Sequence, residues 1–289
     1  MLASILIQGL ILTGTYSMLA VGFSLVFGVG RVLNLAHTAF FMLGSYGIFF
    51  FLGLGAGMPI AILASTVTVV VVGLLLYRLF IDPVREMEAT VLIMALAIAV
   101  LLQEGLRLLS GGAASLPVPP VFPGFIRILG VRVRNQEIAV LALAVISLTS
   151  IWLLLTRTRL GLAIRAAAQD REVANLMGIH VRRITTLVMG LGLVLAALAG
   201  AAVAPIRTVE PHMWMHPLVI VLAAVVLGGL GSLKGSLIGA AILAFAEVTV
   251  RITIPGGGFL RTAVALAIML AVFLLRPEGL FGSGVAEEG

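Results

Sequence analysis

The sequence has no cysteine, one lysine and few charges of any kind. The missing cysteines exclude disulfides, thiolate nucleophiles and cysteine-held metals. Only 10% of the 289 residues are charged while 61% are hydrophobic, which excludes an ordinary soluble globular protein. With Lys234 as the single lysine among eighteen basic residues, arginine does the anchoring at the membrane surfaces. No HExxH or other His/Asp/Glu cluster offers zinc ligands, and no GxSxG elbow or Ser/Lys arrangement suggests an intramembrane hydrolase. GSLKGS at 231–236 falls short of a phosphate loop, because Leu233 stands where a glycine should precede the lysine and no strand leads into it. The chain therefore offers no catalytic residue, no metal site and no cofactor site, and any energy from nucleotide hydrolysis comes from a partner.

What is present is one long apolar run after another, with a mean hydropathy of +1.23. A bilayer core of about 30 Å needs about 20 apolar residues per helix. That ruler predicts spans near 4–28, 35–55, 59–80, 89–109, 137–156 and 184–205, two shorter ones at 217–230 and 236–252, and a last one at 259–275. Backbone polar groups must be satisfied within each span, so these are helices. The N-terminal run lacks a charged n-region and a small-residue cleavage site, and is expected to be a retained span and not a signal peptide. The pI near 11.0 reflects charges facing anionic lipid and not nucleic acid, since no basic run is interleaved with exposed aromatics.

The longest charged segment is RTRLGLAIRAAAQDREVANLMGIHVRR, 157–183, with six arginines against Asp170 and Glu172. Placing this loop inside gives the inner side Arg31, Arg78, Arg85, the six loop arginines, Lys234 and Arg276, eleven against seven outside. By the positive-inside rule the N-terminus is then outside and the C-terminus cytoplasmic. The loop is patterned as two short helices. Leu160, Ile164, Ala167 and Ala168 fall at helical spacing in the first, with Arg165 off that stripe. Asp170 can N-cap the second and Gly178 can end it, leaving Val173, Leu176 and Met177 on one face. Helices this short need something to pack against: the membrane ends of their own chain, the lipid interface, or a cytoplasmic partner.

Two places interrupt the apolar pattern. VFGVGRVLNLAH, 26–37, sets Asn34 and His37 three apart, on one helix face. VLGGLGSLKGSLIG, 226–239, carries Gly228, Gly229, Gly231, Ser232 and Ser236 beside the lysine. Broken helices at membrane depth line a wet cavity or are buried in protein, so Asn34, His37, Gly228, Gly229, Gly231 and Ser232 are candidates for a translocation pathway. Close helix packing explains the glycines equally well. Glu247 lies inside a span and is expected to pair with Arg251 one turn on. Gln103 and Glu104 lie near a span end, where snorkelling explains them. The proline-rich outer connector, 110–136, is either a plain linker or a docking surface.

NLAHTAFFMLGSY (34–46), RAAAQDREVANLMGI (165–179), VLGGLGSLKGSLIGA (226–240) and RPEGLFG (276–282) occur in that order. Together they make the chain resemble the branched-chain amino acid permeases of ABC importers, the LivH type, over nearly its whole length. Glu172, Ala174 and Gly178 also match the importers' coupling motif Glu-Ala-Ala-x-x-x-Gly, with Val173 in place of its middle alanine. The resemblance implies an all-α polytopic integral membrane protein with about 8–9 transmembrane helices and Gly-broken segments, a type II ABC-importer-like permease. It implies one permease domain over 1–289, in a bacterial inner membrane, with Arg165, Asp170, Glu172, Ala174 and Gly178 at the ATPase-coupling surface. The implied partners are a second homologous permease, two ATP-binding subunits at the cytoplasmic loop, and an extracytoplasmic substrate-binding protein. The implied substrate is leucine, isoleucine or valine, or a relative such as an amide or urea. An ion-coupled secondary transporter or channel for a small polar solute is the alternative. It would need intramembrane charges, for which only Glu247 and the His37 region qualify.

Overall fold

The computed structural model describes all residues except Pro255, Gly256, Gly258, Phe259, Pro277, Glu278 and 282–289, together with the side chains of Arg261 and Phe273. Three residues of the RPEGLFG segment, Pro277, Glu278 and Gly282, thus lie outside the described residues. Among the described residues nine apolar helices lie where nine spans are predicted. They are α1 (Leu2–Gly30), α2 (His37–Gly53), α3 (Met58–Leu76), α4 (Glu88–Leu109), α5 (Asn135–Arg157), α8 (Val181–Val203), α9 (Met215–Gly228), α10 (Leu233–Thr253) and α11 (Arg261–Leu275). The charged loop holds α6 (Arg159–Gln169) and α7 (Arg171–Leu176). Among the described residues six of the helices are long and apolar enough to cross a bilayer unaided; α2, α9 and α11 fall short of the ruler.

The reason for the shortness is clearest at α2. A Cβ added to Gly22 of α1 would sit 3.1 Å from His37 Nε2, so the first residue of α2 lies beside Gly22 and not beside the end of α1. Gly22 is eight residues before Gly30, which at 1.5 Å per residue puts the start of α2 about 12 Å inside the bundle. The chain ends α1 at Arg31 in the left-handed conformation (φ 53°) and runs back inward without helix to Ala36. Asn34 therefore precedes the helix and shares no helical face with His37. The two are joined instead by a turn, His37 N donating to the Asn34 carbonyl at 3.1 Å. The break predicted at 26–37 is present; the helical relation between its two polar residues is not.

The second break is placed differently. Gly229 (φ 97°) and Gly231 (φ 82°) form the turn joining α9 to α10. That turn abuts the last turn of α1, since a Cβ on Gly28 would meet the Gly231 carbonyl at 3.5 Å. The segment is thus a hairpin at the end of the bundle that carries α6 and α7, not an interruption halfway through a span. Gly228 and Gly235 lie against one another so closely that a side chain on either would overlap the other's backbone, and Ser232 Oγ caps α10 by accepting from Gly235 N at 3.1 Å.

α1 is the central helix, packing on α5, α8, α9 and α10, while α2 lies between α8 and α3. Small residues permit these approaches. A Cβ on Gly44 of α2 would sit 2.8 Å from the Ala197 carbonyl of α8, and one on Gly200 of α8 would overlap the Phe41 carbonyl. Hydroxyls bridge the same seams, Ser45 Oγ donating to Gly200 O and Ser65 Oγ to Gly44 O, each at 2.8 Å. The 110–136 connector between α4 and α5 is neither helix nor simple linker. Its second half is a β-hairpin, β1 (Phe125–Ile128) pairing antiparallel with β2 (Val131–Arg134) across a two-residue Leu129-Gly130 turn. Both turn residues have positive φ (50° and 80°), as a type I′ turn requires. Its first half bridges to the α8–α9 connection, Leu116 with Val209.

Gly200→Leu is expected to wedge α2 from α8 and cost about 1–3 kcal/mol through overpacking. Thermal unfolding in detergent should show a clear drop in midpoint for that variant. Gly53→Ala, where nothing lies within 4 Å of the added carbon, should melt as the parent does.

Candidate functional site

The charged loop folds as two capped helices. Thr158 Oγ1 accepts from Gly161 N at 3.0 Å to start α6, whose inner side buries Gly161, Ile164 and Ala167 and leaves Arg165 exposed. Asp170 Oδ1 accepts from Glu172 N (2.9 Å) and Val173 N (3.0 Å) to start α7. Gly178 ends it with φ 83°, and the Ile179 N to Ala174 O and Gly178 N to Asn175 O bonds complete a Schellman cap. With both ends fixed, α7 buries Ala174 and presents Val173 (53% exposed), Leu176 (86%) and Met177 (77%) to the outside, beside the exposed Glu172. These three form an unpartnered apolar face at one end of the bundle.

α7 is also tied to the central helix. The Arg171 guanidinium donates through Nε (3.0 Å) and Nη2 to the Val29 carbonyl, one of the last carbonyls of α1. Those carbonyls lack intrahelical partners and carry the negative end of the helix dipole, so a cation suits them. Burial, with the Arg85 and Arg31 charges beside it, lowers the Arg171 guanidinium from its usual range, and it remains cationic. Any tilt of α7 is thereby felt at the point where α1 ends and the chain turns inward to α2.

Along the same axis the bundle is hollow at both ends and closed between. At the end remote from α7 a cavity of about 400 Å³ is bounded by α1, α5 and the α8–α9 connection, with Tyr16 and Phe41 among its lining. At the α7 end a cavity of about 590 Å³ is lined by Gly30, Arg31, Tyr77, Arg85, Arg171 and Arg182. Between them lie His37 (1% exposed), one turn from Phe41, and Asn34 (3% exposed), beside a void of only about 10 Å³. His37 packs edge-on to Phe23 at 5.9 Å, and its Nε2 has no hydrogen-bond partner among the described residues. Asn34 Oδ1 accepts from Ala36 N at 3.1 Å, and its amide points to Met189 Sδ at 3.8 Å. Gly228, Gly229, Gly231 and Ser232 are brought near neither residue; they sit at the hairpin beside Gly28.

The family described as "Branched-chain amino acid transport system / permease component" matches residues 5–275. The chain belongs to this permease family. It is 29% identical to the high-affinity branched-chain amino acid transport system permease protein BraD of Pseudomonas aeruginosa, covering 98% of this chain and 96% of that one. It is 26% identical to the corresponding permease protein LivH of Escherichia coli, covering 97% and 96%. Among solved structures it shares a fold with PsaBC from Streptococcus pneumoniae in complex with Fab, at a TM-score of 0.54 and 15% identity, over 95% of this chain and 92% of that one.

Among the described residues the permease holds one carboxylate deep in the bundle, and not with the expected partner. Glu247 (2% exposed) accepts from Tyr16 OH at 2.6 Å and lies 3.5 Å from His216 Nε2, whose Nδ1 is 3.2 Å from Thr262 Oγ1. Arg251, the partner expected from sequence, turns outward to Gln8 Oε1 at 2.7 Å. The one-turn spacing holds, but tertiary packing offers the carboxylate donors on α1 and α9 that a local pattern does not reveal. Gln103 likewise departs from the snorkelling expected of it: it is buried and accepts from Trp214 Nε1 at 2.8 Å. Tyr16→Phe should lower the permease's stability by about 1–3 kcal/mol, because a buried carboxylate loses a donor. Arg251→Gln should leave it unchanged. Chemical unfolding of the two variants in detergent checks this, and the reverse ranking would restore the Glu247–Arg251 pair.

Proposed function

We propose that this chain is the permease subunit of an ATP-driven importer of branched-chain amino acids or a related small solute such as an amide or urea. The observation that carries the proposal is α7: capped at both ends, apolar on its exposed face, and hydrogen-bonded through Arg171 to the end of the central helix. A helix so built transmits force from a docked partner, because it presents a contact surface and has no slack behind it. The partner is an ATP-binding subunit, one for this chain and one for a second, homologous permease, and a soluble extracytoplasmic protein delivers the substrate. Residues 1–289 act as one permease domain, with α6 and α7 cytoplasmic, the N-terminus outside and the C-terminus inside. Arg165, Asp170, Glu172, Ala174 and Gly178 make up the coupling element: Asp170 and Gly178 set its ends, Ala174 seats it, and Arg165 and Glu172 face the ATPase.

Asn34 and His37 form the closed section of the translocation pathway. They lie between two cavities, Asn34 on the non-helical run and His37 at the first residue of α2, and an imidazole nitrogen without a hydrogen-bond partner at this depth suits a passing polar solute. Gly228, Gly229, Gly231 and Ser232 have a sufficient role in packing the α9–α10 hairpin. An ion-coupled carrier would want a titratable group facing a cavity at mid-depth, and Glu247 is instead held by Tyr16 and His216.

Gly178→Val is expected to uncouple transport. Open space surrounds the position, so only the left-handed backbone opposes a side chain, at about 1 kcal/mol, and that is enough to misdirect α7. Reconstituted with its partners, the variant should hydrolyse ATP with strongly reduced solute uptake, whereas Gly178→Asn, which tolerates this conformation, should be milder. Normal ATP-driven uptake by Gly178→Val would overturn the coupling role. Orientation is checked separately in this cysteine-free chain. A cysteine at Gln169 should resist an impermeant thiol reagent until the membrane is opened, and one at Val121 should react in intact cells.

A further inference from the structure

The cavity remote from α7 is chemically specific. Three arginines and one glutamate line it: Arg134, Arg207, Arg251 and Glu137. Two of the arginines are engaged, Arg134 with Glu137 at 2.9 Å and Arg251 with Gln8 at 2.7 Å. The Arg207 side chain makes no hydrogen bond or ion pair among the described residues; only its backbone N is engaged, donating to the Val203 carbonyl at 3.0 Å. Its charge acts on Glu247, but that carboxylate is already held by Tyr16 and His216 behind the cavity wall. A half-buried guanidinium with two open donor edges is a site for a planar anion, and carboxylate matches its fork geometry. Of the other lining residues, Gln8 and Thr15 are polar, while Leu12, Val140, Val203 and Ile206 make an aliphatic wall. About 400 Å³ is ample for one small zwitterion and lies at the small end of known ligand sites.

We propose that this cavity is a recognition subsite on the permease itself for an aliphatic α-amino acid. Arg207 takes the substrate carboxylate, and the Leu12, Val140, Val203 and Ile206 wall takes its side chain. Glu137, the one carboxylate of the lining, attracts the ammonium while keeping its bonds to Arg134. The inference rests on the importer reading above and narrows it, because amides and urea offer Arg207 no anion. The subsite lies one turn of α2 above His37, so a solute leaving it meets the closed section of the pathway next.

The test uses the permease pair with its ATP-binding subunits, purified without the binding protein. Saturation-transfer NMR with L-leucine as the probe should show saturable contact of its methyl groups, competed by L-valine but not by L-leucinamide, which keeps the side chain and ammonium and lacks the carboxylate. Arg207→Gln should weaken leucine binding by about tenfold or more, as loss of a charge-assisted pair does, and Arg207→Lys should recover part of it. Equal competition by leucinamide on the unmodified protein, absence of saturable leucine contact, or unaltered binding by Arg207→Gln would each overturn the subsite. ATP-dependent leucine uptake by the complete reconstituted transporter separates this failure from that of the importer reading: uptake that persists while the subsite tests fail leaves the importer standing without this site.

Discussion

No water reaches the bilayer core, so every backbone N–H and C=O there must find a partner within the protein. That constraint explains why the chain is nearly all helix, and it also explains the exceptions. The non-helical run from Arg31 to Ala36 exists only because α1, α8 and their neighbours bury it and because Asn34 supplies an acceptor to Ala36 N. Burying it requires close approach, hence the glycines: Gly22 and Gly192 make room for the His37 ring, and Gly44 and Gly200 let α2 lie against α8. The late start of α2, the glycine seams around it and the closed section of the bundle follow from one demand for internal hydrogen bonding.

The same segment connects the two ends of the molecule. α7 is bonded through Arg171 to the last turn of α1, α1 gives way to the inward run, and that run positions His37 at the start of α2. One turn further along α2, Phe41 lines the remote cavity. The path from the exposed face of α7 to that cavity is thus continuous in hydrogen bonds and helix packing. A displacement at the loop has a mechanical route to the point where the two cavities are separated, and no large domain motion is needed to use it.

Hydropathy placed the apolar helices to within four residues at their ends, and helical spacing for α6 and capping chemistry for α7 made the loop helices legible too. Asp170 and Gly178 act through local backbone geometry, which a sequence carries directly. What stayed hidden depended on residues far apart in the chain. Glu247 finds Tyr16 and His216 across helix seams, so a one-turn spacing to Arg251 misled. Arg171 reaches Val29 on another helix, and nothing in the loop's own pattern distinguishes it from its neighbouring arginines. The glycine-rich run at 226–239 shows the limit of composition alone, because glycine is equally suited to a break, a turn or a close contact. The hairpin was the exception with a readable signal: FIRILGVRVR alternates at a period of two around Leu129-Gly130, a pattern easily lost between prolines and arginines.

We propose above that an ATP-binding subunit docks on the apolar face of α7. A photo-crosslinking amino acid at Leu176, the most exposed residue of that face, tests it in the reconstituted complex. The main adduct, identified by mass spectrometry, should be with the ATP-binding subunit, and its yield should change when ATP is added. An adduct formed chiefly with phospholipid or with the permease's own helices would contradict it, and would return α7 to the membrane surface.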